Sequence, residues 1–292
     1  MVDRADTSAK KRDMLSTFDH VTIAVADLEQ AVRSYELLLG RPASERCRHP
    51  ELGSDAALFG LRNAAIELVA PSAAAAEAEG LRTLLEARGE GLSALALGTS
   101  DASLLSTTLR ARGVRATAPQ PGEAHTVNGG LRAYRTVELS ERTTRGLRLF
   151  AVERAELSQL RSEQPVASSA IDALDHVVIR SASLDAALTL YRDLLGLRLA
   201  LDRTIAGVRM LFFRIGGVTL ELVEDATLGE HDVLHGLAYR VRDGALAHAR
   251  MLEAGLDVSP LRAGRKPGTQ VFGVRGQSAG VPTLIIRDPA RD

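Results

Sequence analysis

From His20 to Val25 apolar side chains alternate with small or polar ones, the period-two pattern of a half-buried strand. Asp27 is a helix-capping residue, and Leu28, Ala31, Val32, Tyr35, Leu38 and Leu39 then recur at helical spacing. Gly40 suits the left-handed stop of that helix. The pattern returns far down the chain. Asp19-His20-Val21-Thr22-Ile23 reappears as Asp175-His176-Val177-Val178-Ile179, and Ser183 caps a second run of Leu184, Ala187, Leu188, Tyr191 and Leu195 that Gly196 stops. The offset is the same from 19 to 175 as from 40 to 196, so a folding unit is duplicated. Apolar runs predict further strands over 56–61 and 64–69 in the first copy and 208–215 and 218–223 in the second.

A weaker repeat lies inside each copy. Residues 92–101 can be laid on 234–243, each a strand that leads into a helix, over 102–112 before Gly113 and 245–254 before Gly255. Strands over 134–139, 147–152, 270–274 and 283–286 complete the series. The expected fold class is α+β: four βαβββ modules paired into two domains, at 17–155 and 172–292. A serine-rich linker is expected over 156–171 and a polar, disordered leader over 1–16. The alanine-rich stretch 73–78 reads as the start of a helix.

Composition narrows the function. The chain has 292 residues, is 45% hydrophobic and 25% charged, and carries a net charge of −1. This balance gives no basis for binding nucleic acid or an anionic membrane. No apolar run approaches the ~20 residues of a membrane span, and the first 16 residues lack the apolar core of a secretion signal. A single cysteine, Cys47, excludes an internal disulfide framework and fits a cytoplasmic location. No phosphate loop, nucleophile elbow or paired-cysteine site is present.

The doubled Asp-His-Val-x-Ile, the following Leu-x-x-Ala-x-x-x-Tyr, and the strands Ile66-Glu67-Leu68-Val69 and Leu220-Glu221-Leu222-Val223 together resemble the vicinal oxygen chelate superfamily. That superfamily includes glyoxalase I, methylmalonyl-CoA epimerase, extradiol dioxygenases and bleomycin-resistance proteins. The resemblance covers the chain beyond residue 17. It implies curved, half-open mixed sheets that enclose a divalent metal (Zn, Ni, Mn, Fe or Co) and a small oxygenated molecule, and lyase or isomerase chemistry in which the metal polarises a carbonyl. A metal-free binding protein of the bleomycin-resistance type is the alternative.

The resemblance also implies which residues stand at ligand positions. The first module supplies His20 and Glu67; the second has Ser93 for a histidine and Phe150 for a carboxylate. The third supplies His176 and Glu221; the fourth supplies His235 but has Leu284 for its glutamate. Pairing within domains gathers His176, Glu221 and His235, whereas pairing across the duplication gathers His20, Glu67 and His235. We favour the first, which makes His176, Glu221 and His235 the expected metal site and leaves His20 and Glu67 as a secondary or vestigial one. Leu284 argues against extradiol dioxygenase chemistry. Among the other residues, His49 and His125 read as solvated loop histidines and His248 as a surface residue of a helix. His231 lies within reach of a cleft, and Arg265-Lys266-Pro267-Gly268 reads as a solvated loop, with charge for an anionic group as the alternative. A small-molecule partner is expected and a homodimer is left open.

Overall fold

The computed structural model describes residues 14–73, 75–155, 160–162 and 166–289. The first module comprises β1 (Thr17–Ala24), α1 (Leu28–Leu39), β2 (Glu45–His49), β3 (Ser54–Gly60) and β4 (Ala65–Pro71). A helix, α2 (Glu79–Arg88), leads to the second: β5 (Gly91–Gly98), α3 (Ala102–Ala111), β6 (Gln120–Thr126), β7 (Leu131–Leu139) and β8 (Leu149–Arg154). The third holds β9 (Ile171–Ser181), α4 (Leu184–Leu188), β10 (Arg198–Ile205), β11 (Val208–Ile215) and β12 (Val218–Glu224). The fourth holds β13 (Val233–Val241), α5 (Gly244–Glu253), the two-residue strands β14 (Asp257–Val258) and β15 (Arg262–Ala263), β16 (Gln270–Arg275) and β17 (Thr283–Arg287). Strand follows helix as the hydrophobic pattern predicts. Asp27, Asp101, Ser183 and Asp243 each cap a helix by accepting a backbone N–H three residues on.

Modules pair within their own half. In the first half the eight strands close into a barrel in the order β1-β4-β3-β2-β6-β7-β8-β5, the gap being shut where Cys47 and Arg48 of β2 pair with Thr126 and His125 of β6. The second half stays open, in the order β10-β11-β12-β9-β13-β17-β16-β14. The difference lies in the fourth module. Where the first half has the seven-residue β6, the fourth module has only β14 and β15, flanked by Pro260, Gly264 and Pro267. Both short strands pair only with β16, so β10 is left as a free edge of the sheet.

The two halves share one apolar core, in which Tyr35, Leu38 and Leu39 of α1 join Leu184, Tyr191 and Met251. A matched pair of arginines ties them. Arg250 of α5 donates to the carbonyls of Leu37 and Leu38 at the end of α1, while Arg112, at the end of α3, donates to Leu194 O at 2.8 Å. Each guanidinium satisfies carbonyls that a helix end leaves free. Buried Asn63 adds a further tie, donating to Leu174 O (2.8 Å) and accepting from Leu174 N (3.0 Å).

Some expectations change. Residues 1–13 of the expected leader lie outside the described residues, but Leu15 is buried and Ser16 N donates to Gly98 O, so ordered structure begins before residue 17. Positions 156–159 and 163–165 of the linker are likewise undescribed, yet Leu160 is not a solvated linker residue. It is buried inside the first barrel with Cys47, Ala56, Leu58, Ala65, Val69 and Ala124. The helix after Ser183 is α-helical only to Leu188 and continues as a π-helix over Thr189–Leu194, with Leu195 N bonded to Leu190 O. Among the described residues no helix is long and apolar enough to cross a membrane.

Candidate functional site

The Asp-His step that opens each copy has the same local geometry twice. Asp19 Oδ1 lies 2.6 Å from His20 Nδ1, and Asp175 Oδ1 lies 3.0 Å from His176 Nδ1. An arginine backs each aspartate: Arg154 contacts Asp19 at 3.1 Å and Arg240 lies 3.6 Å from Asp175. The carboxylate fixes the ring and turns Nε2 towards the glutamate of the neighbouring parallel strand. His20 Nε2 stands 3.3 Å from Glu67 Oε2, and His176 Nε2 stands 3.6 Å from Glu221 Oε2. The register places Thr22 beside Glu67 and Val178 beside Glu221, so the duplication preserved the pairing as well as the motif.

The halves differ in what joins this pair. In the closed barrel, His49 at the end of β2 brings Nε2 to 3.3 Å from Glu67 Oε1. Glu67 therefore has an imidazole on each oxygen, and all three groups are buried. This corrects the reading of His49 as a solvated loop residue. Its Nδ1 lies 3.2 Å from the Tyr134 hydroxyl, and Cys47 Sγ lies 3.8 Å from Nε2. Phe150, at the position where a carboxylate was sought, sets its ring edge-on to His20 at 5.7 Å between centroids. Ser93 donates to Thr22 O at 3.1 Å.

Electrostatics follow from this packing. Burial pushes His20 down, but the Glu67 charge and the Asp19 hydrogen bond outweigh it and lift the group to about 9. Burial likewise opposes protonation of His49, which hydrogen bonds with Cys47 and Glu67 nonetheless raise to about 10. Burial alone would raise Glu67, yet the two imidazoles hold it well below the usual carboxylate range. Asp19 is buried too, and His20 and Arg154 bring it down to about 2. Burial, with Glu51 and Glu67 nearby, pushes the Tyr134 hydroxyl up, so it stays a proton donor.

In the open half the expected third ligand is not at the pair. His235 sits in a β-bulge of β13, between Leu234 and Gly236, and is exposed. Burial and Arg180 lower its pKa, while Asp225 works the other way. His176 is paired across the ladder with Ala238, three positions further along β13, which at ~3.4 Å per residue leaves the two histidines about 10 Å apart in register. Leu284 lies beside Ala238, so the missing carboxylate is not replaced from β17. Among the described residues, no group of three or more His, Cys, Asp or Glu is placed to hold one ion. In the first half the donors are strung through Glu67 as hydrogen bonds and do not converge, so that cluster does not fit a metal. In the second half His176 and Glu221 fit one only as two protein donors.

The remaining candidates are accounted for individually. His125 is exposed beside Glu123, and exposed His231 packs over Gly146. His248 is not a surface residue: its Nε2 is bonded to Ser259 O and its ring meets Phe272. Lys266 is engaged by Asp288 at 2.7 Å. A cavity of about 630 Å³ opens at the α3 end of the first barrel and is lined by Phe150, Glu138, Arg110, Arg115 and Arg148, among others. Phe150 is common to this cavity and to the His20 packing. Sequence reasoning missed His49, Tyr134, Arg154 and these arginines.

Residues 18–172 match the family described as glyoxalase-like domain, and residues 173–290 match the glyoxalase/bleomycin resistance protein/dioxygenase superfamily. Among solved structures, a mutant of 4-hydroxymandelate synthase from Streptomyces coelicolor is 16% identical with a TM-score of 0.67, over 93% of this chain and 92% of that one. A hypothetical protein from Staphylococcus aureus is 11% identical with a TM-score of 0.64, over 93% of this chain and 99% of that one. A methylmalonyl-CoA epimerase from Mycobacterium tuberculosis is 28% identical over 50% of this chain and 92% of that one, with a TM-score of 0.43. No curated protein matches the sequence.

Proposed function

Since the chain belongs to the vicinal oxygen chelate superfamily, with a glyoxalase-like domain in each half, we propose that it binds a small oxygenated organic molecule in the first half and shifts a proton on it, as an isomerase or lyase does. The observation that carries this reading is Glu67, buried, with His20 on one oxygen and His49 on the other. A substrate oxygen that takes the imidazolium N–H groups over from Glu67 would have its developing charge stabilised, and would free the carboxylate, otherwise held a weak base by those same groups, to accept a proton from the adjacent carbon. Asp19 and Arg154 hold His20 in the orientation this needs. The cavity behind Phe150 is the proposed entrance, and Arg110, Arg115 and Arg148 on its wall favour a ligand with a carboxylate. This moves the proposed site from the second half to the first.

A panel of small hydroxy- and keto-acids, followed by thermal shift, tests the reading. Wild-type protein is expected to gain melting temperature with at least one member, and the Arg148→Ala and Glu67→Gln variants to lose the gain. A gain untouched by both substitutions contradicts it. Binding without turnover favours the metal-free binding role.

One observation favours a second reading: Asp175 holds His176 by Nδ1 and leaves Nε2 facing Glu221, as a carboxylate behind a metal-bound histidine does when it fixes the ring. His176 and Glu221 would hold a divalent ion in the open half, where it would polarise a substrate oxygen. Elemental analysis of Glu221→Gln against wild type decides this. Equal metal content in both, or none in either, rules it out.

A further inference from the structure

Glu67 is buried in the barrel, so a proton it gains has to leave by some route. The hydrogen bonds around His49 supply one. From Glu67 Oε1 to His49 Nε2 is 3.3 Å; from His49 Nδ1 to the Tyr134 hydroxyl is 3.2 Å; and that hydroxyl donates to Glu51 Oε1 at 3.2 Å. Glu51 is exposed, in the short turn Pro50–Leu52 that directly follows His49. The four groups thus join the buried carboxylate to solvent without a break.

We infer that His49, Tyr134 and Glu51 form a proton path between Glu67 and the surface. Each member has the required chemistry. Imidazole accepts on one nitrogen and releases from the other; a phenol accepts with its oxygen while donating its own hydrogen; a solvated carboxylate exchanges with water. In an outward step protonated Glu67 gives its proton to Nε2 of His49, whose own proton sits on Nδ1; that Nδ1 proton passes to Tyr134 Oη while the Tyr134 hydroxyl proton passes to Glu51 and then to water. Glu67 is left as a carboxylate and His49 neutral with its proton on Nε2, and one proton has reached solvent.

The surroundings fix the middle member. Arg154 lies over the Tyr134 ring at 5.1 Å from its centre, and Gly122, opposite on β6, leaves the space the ring fills. A Cβ at Gly122 would collide with the Tyr134 ring. By contrast, His20 on the other oxygen of Glu67 is backed by buried Asp19 and Arg154 and has no such route among the described residues. The cluster is therefore asymmetric, with His49 on the side that reaches water.

This inference rests on Glu67 as the proton-handling group, but the path itself is tested without substrate. Solvent-exchange rates of the imidazole N–H protons are measured by NMR on the full-length ¹⁵N-labelled protein, with His49 assigned by the signals lost in His49→Gln. Tyr134→Phe is expected to slow exchange at His49 Nδ1 by an order of magnitude, and Glu51→Gln, which cannot disturb the core, to slow it severalfold. His20 exchange should follow neither. Unchanged His49 exchange in both variants overturns the path and leaves the role of Glu67 standing. Slowed exchange together with full turnover by Glu67→Gln instead overturns the functional reading and keeps the path.

Discussion

Replacing Glu67 by glutamine removes the negative charge that His20 and His49 share while leaving the side-chain volume nearly unchanged. Its cost should depend on pH in a defined sense. Both histidines are raised in the folded protein, His20 from 6.5 to about 9 and His49 from 6.5 to about 10. A group raised on folding contributes its full stabilisation below the unfolded value and loses it as pH climbs through the folded one. For His20 alone the interval corresponds to about 3 kcal/mol at ~1.4 kcal/mol per pH unit. Because both imidazoles use the same carboxylate the contributions do not add, and ~3–5 kcal/mol, the usual effect of breaking a buried ion pair, is the expected loss at pH 6. Above pH 10 both rings are neutral and the wild-type carboxylate is itself buried without a counter-charge, so the difference should shrink towards zero or change sign. Urea unfolding of both proteins from pH 6 to pH 10.5 measures this. A loss of the same size at every pH would refute the argument that charge within the barrel, and not packing, holds the cluster.

Other expectations test the frame around the site. Arg145→Ala leaves Asp232, whose side chain is fully buried, without the guanidinium 3.0 Å away that binds the two halves; urea unfolding should show a loss of ~3–5 kcal/mol. Asn63→Ala breaks its bonds to Leu174 and Gly217 across the same interface, and unpairing buried backbone groups should cost ~1–3 kcal/mol in the same assay. Leu160→Ala empties part of the barrel interior and should lower stability by ~2–5 kcal/mol, whereas a solvated linker residue would give almost none. Stability should also fall below pH 4, as Asp19, held near 2, takes up a proton.

The fold was legible because its signals are local. The Asp-His-Val repeat, the caps at Asp27, Asp101, Ser183 and Asp243, and the stops at Gly40, Gly113, Gly196 and Gly255 all act within a few residues. The positions of Ser93 on β5, Phe150 on β8 and Leu284 on β17 followed from the family resemblance. The working cluster was not legible. His49 precedes Pro50 and reads as the start of a loop; only closure of β2 onto β6 turns it inward, and Tyr134 meets it from 85 residues away. Arg154 drew no attention at the end of the first domain, but it belongs to β8 and grips Asp19. In the second half the family resemblance implied a triad, and a one-residue bulge at His235 together with the spacing along β13 separates it. Ligand sets depend on register, which a single residue shifts.

The central claim is that proton transfer belongs to Glu67 of the closed barrel and not to Glu221 of the open sheet. Incorporation of solvent deuterium into a panel of carbonyl acids, followed by ¹H NMR, tests it most directly. The account predicts exchange at the carbon beside the carbonyl with wild type and Glu221→Gln, and none with Glu67→Gln. Exchange that survives Glu67→Gln and disappears with Glu221→Gln would contradict it.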